Sequence, residues 1–271
     1  MGKIIMIVAI VLIVLAGLLW TSLHIQPAPF PAFPQATVEP EKMPLPAGLP
    51  APVERFYRAV YGDQIPVIHS VVISGRAQIR PAGPVNFPAR FRFTHDVGQG
   101  YRHYIEATLF GLPVMKVNER YLDGKGYGET PFGNSEGEQV DQAANLGMWA
   151  ELAWVPATFL TDARVQWLPV DDQTALLVVP FEDGQQRFVV RFDPRTGLLQ
   201  YMEALRYKEA SSPAQTLWIT ESKEYRDLDG TVIASSGTAT WMDDGKPWAT
   251  FNIEDLRLNV DIKEYIRARG Q

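Results

Sequence analysis

The sequence predicts an α+β protein that is mainly antiparallel β. It describes a curved, open half-barrel sheet of roughly nine to eleven strands around a central helix, behind an N-terminal apolar helix. Three observations carry this expectation. Residues 87–109 alternate apolar and polar with period two on both sides of Gly98-Gln99-Gly100. From residue 165 onward, turn signals such as Glu182-Asp-Gly184, Asp193-Pro-Arg-Thr-Gly197, Asp227-Leu-Asp-Gly230 and Asp243-Asp-Gly245 recur at about ten-to-seventeen-residue spacing. Between these halves, residues 137–155 abandon alternation, carrying Val140, Ala143, Ala144, Met148, Trp149, Leu152 and Trp154.

Residues 4–20 form an uninterrupted apolar run, the short end of a membrane span. Lys3 precedes it, and no Lys or Arg follows until Lys42, which predicts a cytoplasmic N-terminus and an extracytoplasmic remainder. A cleaved signal peptide is the competing reading, but Trp20-Thr-Ser-Leu-His-Ile is a poor cleavage site. The expected domains are an anchor over 1–25, a proline-rich linker over 26–50 and a folded domain over 51–271. Nine prolines between Gln26 and Pro52 predict an extended, semi-rigid tether with up to ~80 Å of reach.

The folded part opens with a short helix, started by Pro52, striped by Val53, Phe56, Tyr57 and Val60, and ended by Gly62. Strands follow from Val67. If the turn of the 87–109 hairpin closes over Gly98–Gly100, His95 faces His103, Arg92 faces Glu106 and Asp96 faces Arg102. Phe91 and Phe93 then share the inner face, and Arg92 and Glu106 pair on the outer, wet one. Pairing of the first strand through the 81–86 loop puts His69 opposite Val97. The run Asp123-Gly-Lys-Gly-Tyr-Gly128 is not followed by a helix pattern, so it reads as a turn rather than a phosphate loop. The central helix is expected over 137–156, interrupted at Gly147 and stopped by Pro156. Closing 193–197 sets Arg187 opposite Glu203 and Phe188 opposite Met202. A last helix is expected from Asp261, with Glu264 completing a capping box.

The net charge of −6 argues against nucleic acid as a partner. The absence of cysteine excludes disulfides, thiolate metal sites and a thiol nucleophile. No G-x-S-x-G or H-E-x-x-H motif is present, and no cofactor is called for. The residues with chemistry to offer are few. His69, His95 and His103 could gather as metal ligands, or stand as hydrogen-bonded rim residues. Glu151, set among Trp149, Leu152 and Trp154, is either a desolvated acid with a raised pKa or a carboxylate held by Arg or backbone donors.

Several motifs carry a family resemblance: Pro50-Ala-Pro-Val-Glu-Arg-Phe-Tyr57, Tyr121-Leu-Asp-Gly-Lys-Gly126 and Glu151-Leu-Ala-Trp-Val-Pro-Ala-Thr-Phe-Leu160. With the N-terminal anchor, they resemble an uncharacterised family of bacterial membrane-anchored proteins known only as a domain of unknown function. That family brings no activity and no catalytic residues. The stretch Gly245-Lys-Pro-Trp-Ala-Thr-Phe-Asn-Ile-Glu-Asp-Leu-Arg-Leu-Asn-Val-Asp-Ile262 and the element order resemble the LolA/LolB-type lipoprotein carriers, which implies a half-barrel that binds acyl chains.

Three functions are therefore weighed. The first is a membrane-tethered, non-catalytic binding protein for a lipid or other apolar ligand, using Phe91, Phe93, His95, His103, Met148, Trp149, Leu152 and Trp154. The second is a cell-envelope scaffold. The third is a metal-dependent hydrolase built on the histidines. In the first, the 137–156 helix is either a lid over the concave sheet or a fixed plug.

Overall fold

A computed structural model describes residues 2–81, 83–228 and 230–269. Ala82 in the 81–84 loop and Asp229 in the 227–230 turn lie outside the described residues. The chain opens with helix α1 (Gly2–Ser22), long and apolar enough to cross a membrane, with a mean hydropathy of 3.0. A short strand β1 (Lys42–Pro44) pairs with β2 (Gln64–Pro66), and helix α2 (Ala51–Tyr61) lies between them. Val53, Phe56, Tyr57 and Val60 are buried along one stripe of α2. Gly62 ends it at φ 70°, and Arg58 pairs with Glu54 at 2.9 Å on the exposed side.

The strands of the main sheet are β3 (Ser70–Ile79), β4 (Phe87–Asp96), β5 (Gly100–Leu109), β6 (Leu112–Leu122), β7 (Lys125–Thr130) and β8 (Gly133–Ser135), then β9 (Gln166–Pro169), β10 (Thr174–Phe181), β11 (Gly184–Phe192), β12 (Leu199–Arg206), β13 (Thr216–Leu228), β14 (Thr231–Trp241) and β15 (Lys246–Leu258). They form one antiparallel, open sheet of 13 strands, more than the alternation alone resolves. Each half is a meander, and the two halves join where β15 pairs with β3. Helix α3 (Glu138–Glu151), a 3-10 turn over 152–154 and helix α4 (Thr158–Thr161) connect the halves and fill the concave side.

Two registers differ from expectation by two residues, which keeps every face and changes every partner. In β4–β5, Arg90 faces Glu106, Arg92 faces Tyr104, Phe93 faces His103 and His95 faces Tyr101. The turn is 97–99, with Gly98 at φ 68°, so Gly100 belongs to the strand. A Cβ at Gly100 would lie 2.5 Å from the Tyr121 carbonyl oxygen, so close passage of β6 requires glycine there. In β11–β12, Glu203 faces Val189 and Met202 faces Val190, and Arg191, not Arg187, bonds Glu203 at 2.7 Å. The β3–β4 register is the expected one, continuous past Gly75; the irregularity lies across from it, at 253–255 of β15.

The proline-rich segment is extended but lies along the convex face of the sheet rather than standing free. Phe30 and Phe33 are buried there, Val38 N–H donates to the Leu258 carbonyl at 3.0 Å, and the Gln35 amide bonds Asp261 backbone N–H at 2.8 Å. Arg92 is consequently buried rather than wet, donating to Ser74 Oγ at 3.1 Å and to the Pro31 carbonyl. The last helix is reduced to a 3-10 turn at 265–267 without a side-chain cap. Its approach is fixed by Gln35 and by burial of Ile262 and Ile266 against Phe33 and Val72.

Candidate functional site

Alternation on β4, β5 and β6 sends Phe91, Phe93 and His95, then His103 and Ile105, then Val117 and Glu119 to the concave side. There they meet α3. The helix runs unbroken through Gly147, where a Cβ would lie 3.6 Å from an Arg206 Nη and 3.8 Å from Tyr101 Oη. Both are ordinary contact distances, so a Cβ would fit there and the helix has no need to break. Polar side chains on both sides of α3 fix it. Asp141, buried, accepts from Gly126 N–H at 2.7 Å and from Lys125 Nζ at 2.7 Å. Gln142 and Asn145 donate to the carbonyls of Leu205 and Pro180 at 3.0 and 3.1 Å.

Between the end of α3, its 3-10 extension and the inner faces of both half-sheets is a cavity of about 190 Å³. Ile79, Pro81, Met115, Trp248 and Phe251 form an apolar part of its wall, and His103, Glu119, Glu151 and Arg206 a polar part. Trp154 closes it from the helix side, its indole against Gly237, where a Cβ would sit 3.2 Å from Nε1.

Glu151 is the hub of the polar part. Its Oε2 lies 2.5 Å from His103 Nε2 and 3.0 Å from His95 Nε2, the second contact falling outside hydrogen-bond geometry. His103 Nδ1 is 3.5 Å from Glu119 Oε2. Burial alone would lower the pKa of His103, but Glu151 and Glu119 outweigh it and the pKa is raised. Burial dominates at fully enclosed His95, whose pKa is lowered. For Glu151 and Glu119, burial pushes upward and the histidines outweigh it, so both are lowered. Glu119 is 44% exposed by side-chain area yet enclosed by protein, because part of that exposed area faces the cavity. Arg206 donates Nε–H to the Ala143 carbonyl at 2.9 Å and stacks over Trp218 at 4.5 Å. Burial lowers its pKa, against the pull of Tyr101, Glu119 and Glu151.

The residues expected to bind a ligand separate into groups. Phe93, His103 and Trp154 line the cavity. Phe91 stands behind Phe93, ring centroids 4.7 Å apart, and Leu152 is fully buried in the core. Met148 and Trp149 point to the other side of α3, toward Gly98 and Arg164. His95 reaches Glu151 but does not line the cavity. His69 is exposed and stays outside the cluster, so the three-histidine grouping is replaced by His95, His103 and Glu151. Of the two readings of Glu151, the held carboxylate is nearer the structure: its pKa is lowered, and the groups that hold it are imidazoles rather than Arg or backbone donors. Glu119 and Arg206 went unread, although each was visible as a charged residue at an inward position of an alternating strand.

A family model described as "Family of unknown function (DUF6544)" matches residues 39–253, and the chain belongs to that family. No curated protein matches the sequence. Among solved structures, the fold is similar to a LolA superfamily protein from Nitrosomonas europaea, at 9% identity and a TM-score of 0.47, covering 80% of this chain and 96% of that one. It is also similar to a DUF1329 family protein from Desulfovibrio piger, at 11% identity and a TM-score of 0.43, covering 74% and 91%.

Proposed function

We propose that this is a membrane-tethered, extracytoplasmic binding protein that holds a lipid or other apolar ligand and carries out no catalysis. The observation that carries the reading is the cavity of about 190 Å³, apolar on one part of its wall and charged on another. An apolar cavity of roughly 150 Å³ holds a benzene-sized group, so this one suits a short apolar moiety next to a polar head. Each buried methylene adds ~0.8 kcal/mol. The helix that roofs the cavity is bonded to strands on both sides, which favours a fixed plug over a swinging lid. The apolar helix α1 supports the tether, and the lysine asymmetry around it supports an extracytoplasmic position for the folded part. Mass spectrometry of lipids extracted from the mildly purified full chain tests the ligand. A stoichiometric amphiphile is the expected result. A preparation free of lipid, whose cavity tryptophans Trp154, Trp218 and Trp248 do not respond to added fatty acid, would reject it. Protease added to intact spheroplasts should digest the chain beyond residue 26; full protection would reverse the orientation.

A second reading is favoured by His95, whose two ring nitrogens are both buried without a hydrogen-bond partner. His95, His103 and Glu151 offer ligand atoms within 4.8 Å of one another, a set that suits a divalent transition metal. Glu119 beside His103 Nδ1 is the kind of outer carboxylate that orients a metal-bound imidazole. Ligand atoms must stand about 2.0–2.2 Å from zinc, so Glu151 would have to withdraw from His103. Zinc retained through dialysis and lost in His95→Ala is the expected result of this reading; no bound metal and no zinc-dependent thermal shift would end it.

A further inference from the structure

The turn between β5 and β6 is Phe110-Gly111, at φ 52° and 74°. Two-residue turns with both φ positive favour Asn or Asp followed by Gly. A phenylalanine there is in an uncommon conformation for a bulky side chain, and the residue is 49% exposed. Neither local backbone preference nor full burial explains it. Leu112 and Val114 follow at 69% and 54% exposure, and Phe132, in the neighbouring β7–β8 turn, is 84% exposed. Val85, in the β3–β4 loop, and Met242, in the β14–β15 turn, are also exposed. The register puts all of these at one end of strands β3–β7, β14 and β15. Among the described residues, no exposed large apolar side chain occupies the turns at 97–99 or 123–124, at the opposite end.

The same end meets the anchor. Phe110 N–H lies 3.4 Å from the Ser22 carbonyl, and a Cβ on Gly111 would lie 3.7 Å from Ile25. Helix α1 has 21 residues, about 32 Å at 1.5 Å per residue, against a hydrocarbon thickness of ~30 Å. If its N-terminal end is at one face of the bilayer, Ser22 is at the other. The Phe110 turn is then at the interface. Ile79, Pro81 and Met115, at this end of their strands, belong to the cavity wall. Charge does not carry the contact: Asp243 and Asp244 in the β14–β15 turn are bridged by Lys208 at 3.2 and 3.0 Å.

We propose that the Phe110–Val114 turn, with Phe132, Val85 and Met242 around it, is a membrane-docking rim that seats in the outer interface of the bilayer and opens the cavity toward lipid. This rests on the anchored, extracytoplasmic reading above, and adds the surface by which the domain meets its lipid. With α3 bonded on both sides, the rim is the route by which an apolar group leaves the bilayer for the cavity.

The chain has no cysteine, so single-cysteine variants report cleanly. Full-length Leu112→Cys, Asp123→Cys and Ile13→Cys, each carrying an environment-sensitive fluorophore, are reconstituted into phosphatidylcholine–phosphatidylglycerol vesicles with nitroxide-labelled lipid. Quenching at Ile13 and Leu112 several-fold stronger than at Asp123 is the expected result. Quenching at Ile13 with Leu112 no different from Asp123 overturns the docking rim and leaves the anchor standing. No quenching at Ile13 overturns the anchor and the rim with it.

Discussion

Strand β6 enters and leaves through turns of the same geometry. Phe110-Gly111 adopts φ 52° and 74°, and Asp123-Gly124 adopts φ 53° and 77°. At the second, an Asp-Gly pair suits the backbone and Asp123 is exposed to water, as turn chemistry dictates. At the first, the glycine is kept and the aspartate position carries an exposed aromatic ring. The two ends of the sheet differ in the same way. At the Asp123 end the helix is packed down onto the sheet: Trp149 is fully buried near Gly98, whose hypothetical Cβ it would meet at 3.2 Å, and Asp141 bonds Gly126. The Phe110 end holds exposed apolar side chains beside the cavity wall. The difference separates residues chosen for the fold from residues that the fold does not need, and substitutions at the two ends should separate accordingly.

The largest effect is expected at Trp149. Removing a buried tryptophan ring costs about 3–5 kcal/mol, and a carboxylate in its place adds the cost of a buried charge. Trp149→Glu should therefore fail to fold cooperatively, read by near-ultraviolet circular dichroism and urea titration. A cooperative variant close to wild-type stability would mean that the packing of Trp149 does not hold the Asp123 end together. Asp141→Ala should cost about 1–3 kcal/mol, because it leaves the buried Gly126 N–H without its acceptor. By contrast Leu112→Ser, at the other end, should stay within about 0.5 kcal/mol of wild type. Equal losses at Asp141 and Leu112 in urea titrations would erase the contrast.

Acid and base should act on the polar part of the cavity. The lowered pKa of His95 withdraws stability as pH falls through the ordinary histidine value of 6.5, because the unfolded chain takes up the proton first. The lowered Glu151 and Glu119 contribute stability above the usual carboxylate value of 4.5, lost as pH falls through their folded values. The raised His103 contributes stability below 6.5, lost as pH rises through its folded value. Stability should peak near neutrality. Glu151→Gln should lower that peak by about 1.5–3 kcal/mol and flatten the alkaline flank, because Glu151 is the main upward pull on His103. An unchanged profile in denaturant titrations from pH 4 to 9 would show that the cluster does not titrate with folding.

Much of this was legible in the sequence, for reasons that also set its limits. Period-two alternation fixed which faces share residues, so Phe91, Phe93, His95 and His103 were correctly placed together. Cross-strand charge pairing could not fix the register, because two arginines two residues apart, Arg90 and Arg92, both face Glu106's side of the sheet. A slip of two satisfies the same rule. What decided it was Gly100, needed within the strand by the close passage of Tyr121, a long-range constraint with no local signature. The proline-rich segment was readable as extended, but its docking depends on Phe30 and Phe33 meeting Arg90, Arg92 and Tyr104, partners far along the chain. The polar staples of α3 escaped for a similar reason. Asp141, Gln142 and Asn145 look like a wet helix face until strands on both sides reach them.

The only substitution expected to raise stability is the most informative one. Phe110 adopts φ 52°, a region that asparagine tolerates far better than phenylalanine. Its amide contact with Ser22 is made by the backbone and survives substitution. Phe110→Asn should therefore leave the chain equally stable or raise it by up to ~1 kcal/mol, a thermal shift of about 2–4 °C. If the ring serves the membrane, the same variant should lose lipid quenching of a label at Leu112 while the anchor label at Ile13 is unaffected. Stability and lipid contact then move in opposite directions, which a purely structural role cannot produce. If the substitution instead lowers the melting temperature by several degrees and leaves lipid contact at Leu112 intact, Phe110 is part of the packing between anchor and hairpin. The two turns of β6 would then differ only in which neighbour they happen to touch.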